Sequence, residues 1–164
     1  MVFLGYSEVL LDAKNRLAVP AKFRRCIDPE KHGTNFVLTR GRPTNTIWVY
    51  PEKSFIELAG GGERSLIAGD DQVRFDQVFF ARGEVVEPDG QGRILLPDRL
   101  IKGAGLGREL VVSGVRDHME IWSKDAFEKH TAELESRFEE LQARAREVYR
   151  EQRRQPGQSA GEVT

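Results

Sequence analysis

With 164 residues, 39% of them hydrophobic, the chain can bury one ordinary core, and its formal net charge of −1 excludes a generally basic nucleic-acid coat. The single cysteine, Cys26, excludes an intramolecular disulfide and a cysteine metal site, fits a reducing cytoplasm, and reads as a small core residue. No stretch approaches the roughly 20 apolar residues of a membrane span, and the opening Met1–Glu8 lacks the basic start of a leader.

In chain order, Glu8-Val-Leu-Leu11 enters a polar turn, Asp12-Ala-Lys14-Asn15, and Arg16-Leu-Ala-Val19 leaves it as a second strand. Asp12 can accept from the amide two residues on, as in an Asx-turn, and Asn15 tolerates a left-handed backbone. Alternation places Leu17 and Val19 on one face and Arg16 on the other, outside the core. Pro20 suits the first turn of a short helix, Ala21–Arg24, where a missing amide proton costs little. From Lys14 to Arg25 the chain carries Lys14, Arg16, Lys22, Arg24 and Arg25 with no acidic residue, a local basic patch in a near-neutral protein.

Strands follow at Phe36–Arg40 and around Trp48. A polar region containing Gly60-Gly-Gly62 reads as a mobile loop, and a helical stretch runs from Asp71 to Ala81. Val85-Val86 then opens a second round. The turn returns as Asp89-Gly-Gln91-Gly92-Arg93-Ile-Leu-Leu-Pro97, 89 − 12 = 77 residues after its first occurrence, with Gly92 where the first copy has Asn15. Leu110-Val-Val-Ser-Gly114 answers the Phe36 strand, and Trp122 answers Trp48 at 122 − 48 = 74 residues. So small a drift is what loop deletions leave in a duplicated half-domain. From Lys124 to about Arg153, Phe127, Leu134, Phe138, Leu141, Ala145 and Val148 form one stripe, with Thr131 its polar member. It reads as a long amphipathic helix in need of a partner, followed by a tail of disordered composition.

From chemistry alone the repeated Asp-x-x-x-Arg has two readings. It is a surface ion pair closing each hairpin, worth about 0–1 kcal/mol, or a preorganised guanidinium fork for phosphate or guanine edges. Lys22 and Arg24 are likewise either a solvated helix face or phosphate contacts. Trp48 and Trp122 read as core. His32, His118 and His130 lack ligand-like spacing, and no nucleophile elbow or phosphate loop occurs, so no catalytic residue, cofactor or metal is expected. Gly103-Ala-Gly105-Leu-Gly107 reads as a loop, and Asp70, Asp71 and Asp76 as carboxylates at a helix start.

Phe3-x-Gly5, Asp12-Ala-Lys14-x-Arg16-Leu with Pro20-Ala-Lys-Phe-Arg24, Trp48-x-Tyr50-Pro51, Phe79-Phe-Ala81 and Asp89-x-Gln91-Gly-Arg93-Ile-x-Leu-Pro97 resemble the MraZ family of bacterial transcriptional regulators. That family is similar in fold to AbrB-type swapped-hairpin barrels. The resemblance implies an α+β fold, with a small β-barrel built from two duplicated AbrB-like halves at 5–53 and 82–125. A helical linker at 54–81, a C-terminal helix at 126–153 and a tail at 154–164 complete it. It further implies DNA contacts from Lys14, Arg16, Gln91 and Arg93, with Lys22 and Arg24 beside them and Asp12 and Asp89 orienting the arginines.

The implied partners are double-stranded DNA with short direct repeats and further copies of the chain in a ring-shaped homo-oligomer, with no membrane. The implied role is regulation, in the cytoplasm and at the nucleoid, of the division and cell-wall gene cluster that includes its own promoter. The rival of another class is an antitoxin-like protein-interaction module whose turns are only structural.

Overall fold

The computed structural model describes residues 1–60 and 69–154. The centre of the triple glycine and the tail beyond Arg154 lie outside the described residues. The elements in chain order are β1 (Tyr6–Leu10), β2 (Arg16–Ala18), α1 (Ala21–Arg24), α2 (Pro29–His32), β3 (Phe36–Arg40), β4 (Ile47–Pro51), α3 (Glu52–Gly60) and α4 (Asp70–Ala81). The second round brings β5 (Glu84–Val86), β6 (Arg93–Leu95), α5 (Asp98–Ala104), β7 (Glu109–Val115) and β8 (His118–Ser123), and α6 (Lys124–Ser136) and α7 (Phe138–Arg154) follow. The chain comprises two compact units, Met1–Phe127 and the helical segment from Glu128.

Strand pairing makes an α+β fold with a six-stranded antiparallel sheet, β1-β7-β8-β4-β3-β5, and a two-stranded ladder, β2-β6. Among the described residues no pairing joins β1 to β5, so hydrogen bonds do not close the sheet into a barrel. The order is a palindrome under the repeat. β1 of the first round pairs with β7 of the second, and β5 of the second pairs with β3 of the first. Even the register is reproduced: Val9 faces Leu110 as Val86 faces Phe36. The expected hairpins therefore do not form as ladders, because the strands flanking each turn enter different sheets and each takes its partner from the other half.

Alternation explains which residues are inside. Leu17, Val19, Ile94 and Leu96 are buried below the ladder, with Leu38, Ile47, Leu110, Met119 and Ile121 from the large sheet. Phe3 and Phe23 meet edge to face at 5.8 Å in the same core. β3 is buried at four of its five residues and accordingly reads Phe-Val-Leu-Thr without a polar alternation. Each side chain of this size adds about 1.5–3 kcal/mol when fully buried.

Three local readings are corrected. Pro20 and Pro97 occupy the N-cap rather than the first helical position, and their carbonyls accept the first amides of α1 and α5. Cys26 is exposed, not core: α1 ends at Arg24 and buries Phe23, while the Cys26 thiol donates to the Lys22 carbonyl at 3.2 Å. The single C-terminal helix is two, interrupted at Arg137. There the Ser136 hydroxyl donates to the Glu133 carbonyl at 2.7 Å, a back-bond that competes with the helical ladder.

Candidate nucleic-acid interface

Both polar turns fold in the same way. Asp12 Oδ1 accepts the amides of Lys14 and Arg16 at 2.8 Å each, while Oδ2 accepts Arg16 Nε at 2.7 Å. Asp89 repeats this with the amides of Gln91 at 2.9 Å and Arg93 at 3.0 Å, and with Arg93 Nε at 2.8 Å. Each carboxylate thus fixes both the loop and the arginine that leaves it. The turns need a left-handed residue at one place, which Asn15 supplies at φ 58° and Gly92 at φ 73°.

These bonds favour the ionised carboxylates. The Arg16 amide, helped by the Arg16 guanidinium and the Lys14 amide, holds Asp12 below its ordinary value. The Arg93 guanidinium, with the Arg93 and Gln91 amides, brings Asp89 down to about 2. Both arginines are therefore restrained forks at any physiological pH.

The ladder brings the two arginines together. Leu17 faces Ile94 at its centre, both pointing into the core, with Arg16 opposite Leu95 and Ala18 opposite Arg93. Alternation then puts Arg16, Ala18, Arg93 and Leu95 on the one outer face. Leu95 is 56% exposed there. The alternation that turns Arg93 outward turns Leu95 outward with it. Its apolar character on a solvent-facing position is the signal that marks it.

The turns are also tied across the ladder. The Asn15 carbonyl accepts the Leu96 amide at 2.8 Å, and the Gly92 carbonyl accepts the Val19 amide at 3.0 Å. Asn15 Nδ2 further donates to Asp98 Oδ1 at 2.5 Å, anchoring the first turn to the start of α5. Gly92 has another use. A Cβ at that position would lie 2.8 Å from an Arg24 guanidinium nitrogen, so Arg24 of the first half packs against the second turn.

Of the remaining cations and amides, Lys14 and Gln91 occupy matching exposed positions at the turns. Lys22 is directed elsewhere: its ammonium bonds the Tyr6 carbonyl on β1 and lies 5.0 Å from the centre of the Phe23 ring. Arg99, its counterpart in the repeat, donates to the Gly83 carbonyl at 3.0 Å, the position matching Tyr6. The pair act as straps between α1 or α5 and the strand that opens each half. Among the described residues no group of three or more His, Cys, Asp or Glu side chains could hold a metal ion. Nor, among the described residues, is any helix long and apolar enough to cross a membrane.

The family model described as "MraZ protein, putative antitoxin-like" matches residues 2–74 and 79–149. A protein of Desulforamulus reducens named transcriptional regulator MraZ is 37% identical over 140 residues, which cover 85% of this chain and 94% of that protein. Proteins of the same name from Natranaerobius thermophilus and Lactiplantibacillus plantarum are 36% and 34% identical, again over 85% of this chain and 94% and 95% of their own lengths. With both duplicated halves matched and the turn geometry repeated in each, the chain belongs to the MraZ family.

Proposed function

We propose that the chain is a sequence-specific, double-stranded DNA-binding transcriptional regulator. The observation that carries this reading is the outer face of the β2-β6 ladder, where two arginines from the two halves are each gripped by their own carboxylate. A two-stranded ribbon fits the major groove, and a fixed guanidinium is the commonest reader of guanine O6 and N7. Arg16 and Arg93 read bases in this proposal. Lys14, Gln91 and Arg24 flank them towards phosphates and base edges, and Asp12 and Asp89 orient. The names of the relatives support the class of function.

The finer reading is that short direct repeats upstream of the division and cell-wall gene cluster, including the protein's own promoter, are the operator. We further infer a ring of copies that engages successive repeats at the nucleoid, and that the interleaved sheets are an AbrB-like swapped-hairpin barrel. The antitoxin-like alternative draws on the exposed apolar residues Leu134, Phe138 and Val148 as a protein-binding surface. Footprinting the DNA upstream of the gene tests both readings. Short repeats protected in phase are expected, and their protection should vanish with Arg16→Ala plus Arg93→Ala. A steep log–log dependence on salt accompanies phosphate contacts and is absent from a purely protein-binding module.

A further inference from the structure

The surroundings of the two matching tryptophans differ. Trp122 is buried, and its indole Nε1 donates to Glu120, two residues earlier, at 2.9 Å. Two residues before Trp48 stands Thr46, whose hydroxyl donates instead to the Pro43 carbonyl at 2.8 Å. Among the described residues the buried Nε1 of Trp48 has no acceptor. One half supplies its indole donor with a carboxylate, and the other leaves the donor orphaned, which buried polar groups rarely are.

Beside Trp48 three cations share one cavity. Arg40, Arg42 and Arg82 line a cavity of about 520 Å³ together with Trp48, and Phe75 and Phe79 of α4 form its apolar wall. None of the three guanidiniums has a carboxylate partner among the described residues, although that of Arg42 lies 6.0 Å from the centre of the Phe75 ring. Arg40 and Arg82 also border an adjoining cavity of about 320 Å³, so they are approached from two sides. In the other half the segment ahead of β1 is Met1–Leu4, where Phe3 is wholly buried and bridges Arg116. Helix α4 holds the corresponding place ahead of β5, and there the space remains open.

We propose that this cavity binds an organic phosphate carrying a flat apolar group. The arginine forks supply donors for phosphate oxygens, as planar guanidiniums do best, while the Trp48 indole nitrogen, packed against Gly41, stays out of reach and serves as the reporter. Phe75 and Phe79, whose rings stack at 5.2 Å, cover the apolar group. An inorganic anion would leave that aromatic wall wet, and a neutral hydrocarbon would leave the three cations unanswered. The site uses none of the turn residues assigned to DNA.

The test follows the two indole N–H resonances of the full chain in nitrogen-15 spectra, with Trp48 assigned through Trp48→Phe and 1-naphthyl phosphate as the probe. A saturable shift of the Trp48 resonance is expected, from the aromatic probe bound beside its ring, with affinity at least about tenfold above that of 1-naphthol or inorganic phosphate. Arg40→Gln with Arg82→Gln should weaken probe binding by at least about tenfold, as loss of charged hydrogen bonds does. The Trp122 resonance, left in place, reports an intact fold. Should the double variant lose that resonance, Arg42→Gln alone, at an exposed position, repeats the measurement.

Three results overturn the proposal. The first is equal affinity for naphthol and naphthyl phosphate, which leaves only an apolar groove. The second is unchanged binding by the folded arginine variants. The third is a Trp48 resonance that moves on simple dilution of the protein, which makes a second copy the occupant.

Discussion

Leu17 and Ile94 face one another at the centre of the β2-β6 ladder, each 1% exposed, and both arginine turns leave from this one pair. Truncating either residue to alanine should cost about 2–5 kcal/mol, the range for a buried aliphatic side chain. Leu95→Ala, one position along and on the opposite face, should leave stability within about 0.5 kcal/mol of the parent. It should weaken DNA binding instead, by removing an apolar contact available to a thymine methyl. Urea titrations beside operator titrations separate the two effects. A Leu95→Ala chain with lowered stability and unaltered DNA affinity would contradict the assignment.

Arg16→Ala and Arg93→Ala should each cost specific DNA binding about 1–3 kcal/mol, with the double variant left near non-specific affinity. Thermal melting should scarcely move, since each removes an ion pair about one-third exposed. Competition between operator and random DNA reads the difference directly.

Lys22 and Arg24, neighbours on one short helix, should behave differently. Arg24→Ala removes a cation packed against the second turn, so the log–log salt slope of DNA binding should flatten by about 1. Lys22→Ala cuts the strap to Tyr6, so it should lower the melting temperature and leave the slope unchanged. An equal change of slope in both variants would return Lys22 to the DNA-facing set.

His118 should give stability a pH dependence. Burial pulls its basicity down, but Glu120 and Asp117 outweigh that and lift it above the ordinary 6.5. The imidazolium also stacks on Tyr50, with ring centres 4.8 Å apart. A raised folded value means that the contribution is fully present below about pH 6.5 and is lost as pH rises through the folded value. Urea midpoints measured from pH 5.5 to 8.5 should fall more for the parent than for His118→Gln across that window. Parallel profiles would remove His118 as the source.

The exposed apolar residues of α6 and α7 should govern assembly. Phe138→Glu with Val148→Glu, on positions 63% and 53% exposed, should reduce the subunit count seen by light scattering. Loss of a multivalent ring can lower affinity for a repeated operator by roughly 10² to 10⁴ without touching any turn. An unaltered subunit count would take these helices out of the proposed assembly.

The turns were legible because their chemistry is local. An aspartate that accepts amides two and four residues on, followed by a left-handed Asn15 or Gly92, is written within five consecutive residues. The exchange of strand partners was not legible by periodicity, since Val9 would alternate in the same way against Leu17 as against Leu110. Only the repeat and the resemblance to swapped-hairpin barrels pointed to it. The break at Arg137 escaped because the stripe from Phe127 to Val148 keeps its spacing across it, and the back-bonding Ser136 beside it resembles Thr131, which α6 passes through unbroken. The strap that Lys22 makes to Tyr6 was not legible, because charge in sequence carries no direction. Arg99, at the matching position, shows where such a side chain goes. Cys26 was misplaced because α1 stops two residues before it.

The exchange of strands between halves also sets an order of events for a chain emerging from the ribosome. β1 finds its ladder partner only when β7, about a hundred residues later, has been made, and β2 must wait for β6. Pairings so distant in sequence close slowly. The nascent first half therefore carries two unpaired strands, which are ready templates for a neighbouring chain. Neither half can complete its sheet from its own strands, so a fragment ending before Glu84 lacks the ladder partners of β1 and β2 and one of the two partners of β3 and of β4. A messenger cut short anywhere before β6 yields a chain without the shared outer face, because the face that carries Arg16 exists only once the strand that carries Arg93 lies beside it.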